Sequence, residues 1–262
     1  MNNTLPSYQE PPLVEVVIGT QFEDIKGFTP LYLSNFWEKI NKNIFITPAE
    51  EASSFPKLNQ ESRIQFTSGV PPTRFIFKNE IGDSLIQLQQ DRFIYNWKKI
   101  KQNIEYPRYE KVIQDFYGFY RQFENTLQEV NIESLKLEML ELTYVNIIPL
   151  KVLSEDLGNV SNLLIDAQWN PKKALSSPKG IDFSWWFEDK ALNAKMKIHV
   201  VSGQQKEDGA AVIKIELSVR GHAPDKNITK CQKWFDDSHE WIVKAFDEIT
   251  SENVHKEWKK NV

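Results

Sequence analysis

Ser84–Trp97 reads S-L-I-Q-L-Q-Q-D-R-F-I-Y-N-W. The alternation predicts one long strand. Side chains two apart share a face, so Gln87, Gln89, Asp91, Phe93, Tyr95 and Trp97 fall on one side and Ile86, Leu88, Gln90, Arg92, Ile94 and Asn96 on the other. Neither face is purely apolar. Arg92 and Asn96 in line with Ile86 and Leu88 would be buried polar groups in need of partners, which predicts a bulge near Gln90 and Asp91 or a specific polar network. The expected binding residues are therefore Gln87, Gln89, Asp91, Arg92, Tyr95, Asn96 and Trp97.

Working outward, Leu13–Phe22 is β-branched and predicts a first strand, with Gly19 marking a bulge or a close backbone approach. Thr29 and Pro30 are suited to start a helix whose apolar stripe is Leu33, Phe36, Trp37 and Ile40. Pro48, Pro56 and Ser53-Ser54 interrupt any pattern over residues 43–62, which read mostly as loop. Short strands are expected at Arg63–Thr67 and Thr73–Asn79, with a hairpin at Asn79–Asp83. Tyr106–Glu129 carries aromatic and aliphatic residues at helical spacing, a stripe that reads as core. Leu135–Ile148 predicts a second long strand, and Ser154 caps a short helix reaching Leu164. Strands at Ile181–Glu188, Ala194–Ser202 and Ala210–Arg220 precede a helix at Gln232–Thr250 and a short terminal one.

Both halves follow the order strand, helix, loop, strands, long helix. The expected fold class is α+β, built from duplicated strand, helix, antiparallel meander, helix units. This element order resembles the pseudo-twofold saddle of TATA-binding-protein-like folds, with helices on one face of the sheet; a helix-grip arrangement around a ligand cavity is the rival. Residues 1–12 form a polar lead-in, 13–131 the first half and 132–262 the second, within one compact unit.

Composition bounds the chemistry. The 262 residues carry a net charge of -4 and 12% aromatic residues, so the whole-molecule field does not attract nucleic acid. Cys231 is the only cysteine, which excludes an internal disulfide and fits a reducing compartment. The N-terminal residues lack a secretory pattern and no stretch approaches a membrane span, so the expected location is the cytoplasm, with no membrane partner. No phosphate-binding glycine loop, nucleophile elbow or zinc-protease motif occurs. His199, His222, His239 and His255 lack metal-ligand spacing, and no metal, cofactor or catalytic residue is expected. Glu15, Glu141, Arg92 and Asn96 are equally suited to a buried network that fixes strand register and to a ligand site.

Four stretches together resemble a sporadically distributed bacterial family of about this length: P-P-L-V-E-V-V-I-G-T-Q-F at residues 11–22, L-I-Q-L-Q-Q-D-R-F-I-Y-N-W at 85–97, E-L-T-Y-V-N-I-I at 141–148 and H-E-W-I-V-K-A-F-D-E-I-T at 239–250. The resemblance implies a free-standing bacterial protein of patchy occurrence and no particular reaction. Patchy occurrence is common among phage-defence and toxin-immunity components. The leading expectation is a non-enzymatic module that binds a protein partner through the Gln87–Trp97 strand. A nucleic-acid-binding component, with rings stacking bases while Arg92, Lys98 and Lys99 meet phosphate, is the alternative. An enzyme of unrecognised type ranks third. Neither the partner nor the oligomeric state is legible at this level.

Overall fold

The computed structural model describes residues 5–26, 31–42, 44–52, 73–100, 105–132, 135–170, 174–205 and 208–261. The expected strand at Arg63–Thr67 and the Thr29-Pro30 helix start lie outside the described residues. The elements are β1 (Leu13–Phe22), α1 (Leu31–Lys39), β2 (Phe45–Ala52), β3 (Thr73–Asn79), β4 (Ser84–Gln89), β5 (Arg92–Lys98), α2 (Tyr109–Glu129), β6 (Leu137–Pro149), β7 (Asp182–Asp189), β8 (Ala194–Gln204), β9 (Ala211–His222), α3 (Gln232–Ile249) and α4 (Glu252–Glu257). Hydrogen bonding orders the strands β2-β3-β4-β5-β1-β6-β9-β8-β7. The fold class is α+β with an antiparallel sheet.

Two expectations about strands are corrected. Ser84–Trp97 is not one strand but a hairpin, with Gln89 opposite Arg92 and only Gln90 and Asp91 in the turn. The turn is held by β1 and the residues after it: Phe22 N–H donates to the Asp91 carbonyl at 3.0 Å and Ile25 N–H to that of Gln90 at 3.1 Å. Reversing the chain there swaps the phase of alternation, so Phe93, Tyr95 and Trp97 join Ile86 and Leu88, while Arg92 and Asn96 join Gln87 and Gln89. The second correction is at residues 45–52, read as loop. They form β2, and the β2–β3 register shifts between Ile46 and Ala49. Pro48 lies in that irregularity, where its missing N–H is tolerated.

The chain divides into two compact units, one of Glu15–Leu142 with Arg220–Trp234, the other of Met1–Val14 with Thr143–Val219 and Phe235–Val262. In the first, β1 pairs with β5 without interruption from Glu15 opposite Lys98 to Gln21 opposite Arg92. Gly19 therefore marks no bulge. A Cβ added there would sit 3.5 Å from Ile94 Cγ1 and 3.6 Å from Glu141 Cβ, ordinary contact distances. Gly82 is different, since its φ of 86° in the β3–β4 loop is one that glycine adopts freely. Asn79 completes that loop by accepting from the Gly82 and Ser84 N–H groups and donating to Asp83 Oδ1.

The core of this unit is aromatic. Phe36 of α1 stands edge-on to Phe77 and Phe123, and Phe93 meets Phe116, Tyr120 and Phe123 of α2 at centroid distances of 5.2–5.9 Å. Edge-to-face rings at these distances add packing specificity to the burial of their area. The aromatic stripe of α2 is thus core, as its spacing predicted.

In the second unit, Ile213, Ile215, Leu217 and Val219 of β9 and Met196, Ile198 and Val200 of β8 are buried. Tyr144 of β6 meets His239 of α3, its hydroxyl 2.8 Å from Nδ1. The single helix expected after Ser154 is instead two 3₁₀ turns, Leu150–Leu153 and Leu157–Asn162. Ser154 and Glu155 separate them, with φ of 54° and 59°, values no right-handed helix contains. Asp156 supplies the cap instead, accepting from Gly158 N–H at 2.9 Å.

The same unit ties its two ends together. Gln9 N–H donates to the Lys259 carbonyl, Glu10 N–H to that of Trp258, and Asn261 N–H to that of Ser7. Tyr8 OH donates to Asp247 Oδ1 at 2.6 Å, and its ring lies against Phe246, His255 and Trp258.

Candidate functional site

The polar side of the β3–β4–β5–β1 strands is organised by one row of side chains. Arg74 Nη1 donates to Gln87 Oε1 at 3.2 Å, Gln87 Nε2 to Asn96 Oδ1 at 2.8 Å, and Asn96 Nδ2 to Glu15 Oε1 at 2.7 Å. Lys98 Nζ lies 3.7 Å from the second Glu15 oxygen. The row runs from a cation through two amides to an anion, so each amide dipole points the way its neighbours polarise it. It crosses four strands at fixed register. A one-residue slip in any of them would turn its member to the other face.

Arg92 lies on the same side, 4% exposed. Burial lowers the pKa of its guanidinium; the charges of Asp91 and Glu141 oppose that shift, and Arg220 adds to it. Glu141 accepts from Arg220 Nη2 at 2.9 Å.

Of the seven expected binding residues, Gln87, Gln89, Arg92, Tyr95, Asn96 and Trp97 are buried, and Asp91 is half-buried in the turn. Tyr95 and Trp97 are on the helix-packed side, beside Phe119 and Tyr106. The hairpin thus corrects the expectation of one strand presenting all seven to a partner. It gathers Gln87, Gln89, Arg92 and Asn96 and sends Tyr95 and Trp97 into the core. Lys98 and Lys99, expected to meet phosphate, are half-buried, and Lys98 faces Glu15.

A different surface emerges in the other unit. β7, D-F-S-W-W-F-E-D, is the last strand of the hydrogen-bonding order and pairs with β8 from Asp182 opposite Val201 to Asp189 opposite Ala194. Trp186 and Phe187 are 65% and 45% exposed. Trp186 lies opposite Lys197, whose Nζ is 5.4 Å from the ring centroid. His199 Nε2 is 2.8 Å from Asp182 Oδ1, and Lys195 lies 3.0 Å from Glu188. Beside the strand is a cavity of about 560 Å³ lined by residues that include Leu157, Val160, Trp169, Ile181, Phe183 and Trp185.

This surface was missed in the sequence because Ile181–Glu188 reads simply as a strand. The signal was the run Trp185-Trp186-Phe187. Three consecutive large rings occupy both faces of a strand, and only one face can be the core.

Among the described residues, no group of three His, Cys, Asp or Glu side chains is placed to hold a metal ion. No described helix is long and apolar enough to cross a membrane. Comparison of the chain with protein-family models and with curated proteins finds no match.

Proposed function

We propose that this protein is a non-enzymatic protein-binding module of a bacterial accessory system, and that its binding surface is β7 rather than the Gln87–Trp97 hairpin. The observation that carries this reading is the exposure of Trp186 and Phe187, one on each face of the outermost strand. Tryptophan is enriched among residues that dominate interface energies, and an exposed one on an edge strand is placed to meet a partner. The buried amide row then acts as scaffold, holding register within its own unit.

A duplication of the strand, helix, meander, helix module belongs to the same reading. Two facts favour it. β1 pairs with the last strand of the meander that follows it, β5, and β6 pairs with the last strand of its own, β9. Each meander then leads into a long helix, α2 or α3.

Nucleic-acid binding is the second reading, favoured by Lys197 over the Trp186 ring, a pairing of cation and aromatic that suits a stacked base. Asp182, Glu188 and Asp189 on the same strand weigh against it.

The test is affinity capture from the source cells, with and without nuclease, using the wild-type chain and Trp186→Ala/Phe187→Ala. A protein retained after nuclease and lost with the double variant supports the reading. Capture that the double variant leaves unchanged overturns it, and capture abolished by nuclease promotes nucleic acid.

A further inference from the structure

We propose that β7 takes an extended segment of a partner protein as an added strand, one that carries Lys or Arg and places an apolar side chain in the cavity beside Trp169. This rests on the protein-binding reading and specifies its geometry. Antiparallel strands exchange both hydrogen bonds at alternate residue pairs. Ser202 N–H donates to the Ile181 carbonyl at 2.9 Å, continuing the β7–β8 register and fixing its phase. Phe183, Trp185 and Phe187 therefore turn their backbone groups toward β8, while Asp182, Ser184, Trp186 and Glu188 turn theirs away. No described strand pairs with that outer side. Four consecutive outward N–H and C=O pairs form a template for another strand.

The cavity supplies a second, independent feature. Strand addition gains affinity from the main chain and specificity from pockets that take alternate side chains. Phe183 and Trp185 line this one together with Leu157 and Val160, and they alternate along β7 with the exposed Trp186. Trp169 lines it as well, and its indole Nε1 is buried with no hydrogen-bond partner among the described residues. An acceptor on the incoming segment would satisfy that donor.

Charge selects the occupant. Asp182 and Glu188 are 71% and 61% exposed despite their pairs with His199 and Lys195, and Asp166 lines the cavity. In a second copy paired antiparallel over the whole strand, Asp182 would face Glu188 at both ends. Like charges directly opposite destabilise a strand pair. A basic segment from a different protein avoids this.

The experiment measures fluorescence anisotropy of a labelled nonapeptide that alternates Lys with Val and Phe. It is compared with a version carrying Glu for Lys and with one N-methylated at alternate backbone nitrogens. The Lys peptide should bind the wild-type chain, and both altered peptides should bind about tenfold more weakly or worse. Ser184→Pro should weaken the Lys peptide similarly at unchanged melting temperature, because its N–H points away from β8 and proline is tolerated on an edge. No binding of the Lys peptide, equal binding of the N-methylated one, or full binding by a folded Ser184→Pro overturns strand addition. A wild-type dimer that Ser184→Pro dissociates would assign the edge to a second copy and overturn it too. Strand addition alone fails if N-methylation has no effect while Trp186→Ala/Phe187→Ala still loses its captured protein; the protein-binding reading fails if that double variant captures normally.

Discussion

Asn96 and Glu15 are 81 positions apart, yet the Asn96 amide donates to the carboxylate at 2.7 Å while its carbonyl oxygen accepts from Gln87. Both directions of the amide are used, and no isostere reproduces both. Asn96→Ala should cost about 1–3 kcal/mol by stranding Gln87 and Glu15. Asn96→Asp should cost more at neutral pH, because it sets a carboxylate against Glu15, and should recover when acid protonates the introduced aspartate. Thermal melts of the two variants at neutral and acidic pH test this; an Asn96→Asp melt that does not recover relative to Asn96→Ala would contradict it.

Arg92 separates structure from binding in a single substitution. At 4% exposure its charge is held in place by its surroundings, and Arg92→Ala removes it from beside Asp91 and Glu141. The expected cost is about 3–5 kcal/mol, the range for breaking a buried charged arrangement. Denaturant unfolding measures it, and a midpoint equal to wild type would reassign Arg92 to a ligand.

Gly19 should be replaceable. Its register is regular and a methyl group meets only ordinary contacts. Alanine in a strand interior avoids the entropy cost of glycine, so Gly19→Ala should match or exceed wild type by up to about 1 kcal/mol. A lower melting temperature would show that the strand needs the gap.

Acid should loosen the seam between the chain ends, and His255 is the sensor. Thr250 Oγ1 donates to the Phe246 carbonyl, so His255 Nε2, 2.8 Å from that oxygen, is its donor, while Nδ1 is buried with no hydrogen-bond partner among the described residues. Burial lowers the His255 pKa; Asp247 at 3.9 Å and Glu252 at 3.8 Å oppose this, and Lys260 adds to it. A histidine with its folded pKa below the unfolded value of about 6.5 binds its proton more readily when unfolded, so stability falls as pH drops through 6.5. Burial also acts on Asp247, upward, but its hydrogen bonds from Lys260 and Tyr8 prevail and lower its pKa, so its own loss comes below the ordinary aspartate range. Glu124 works the other way, since burial raises its pKa and its contribution weakens as pH rises through the raised value. The melting-temperature difference between wild type and His255→Gln, followed from pH 8 to pH 5, isolates the histidine and should shrink toward acid; a constant difference would refute the assignment.

The elements legible in sequence were those whose periodicity was long and undisturbed. Leu13–Phe22 and Thr73–Asn79 match their strands residue for residue, and the stripe of α2 names its own core. The Gln90-Asp91 turn was not legible because it carries no glycine or proline and continues the alternation on either side. A strand and a two-residue hairpin then have nearly the same pattern. The hairpin decides which side chains share a face, so the one missed turn misplaced Tyr95 and Trp97. The polar row was half legible. Unmatched polar residues on an apolar face announce a network, but Asn96 and Glu15 find each other only through the β1–β5 register. The exposed β7 surface had one local signal, the run Trp185-Trp186-Phe187, but that β7 stands last in the strand order is not written in any local pattern.

Tyr8 has its hydroxyl acceptor 239 positions further on, and the backbone of residues 7–10 bonds that of residues 258–261. Contacts of such sequence separation form only after a large loop has closed, which slows folding. On a translating ribosome, then, residues 7–10 emerge long before the partners that seat them, and a chain stalled short of Asp247 presents them unseated to any protease or chaperone that meets it.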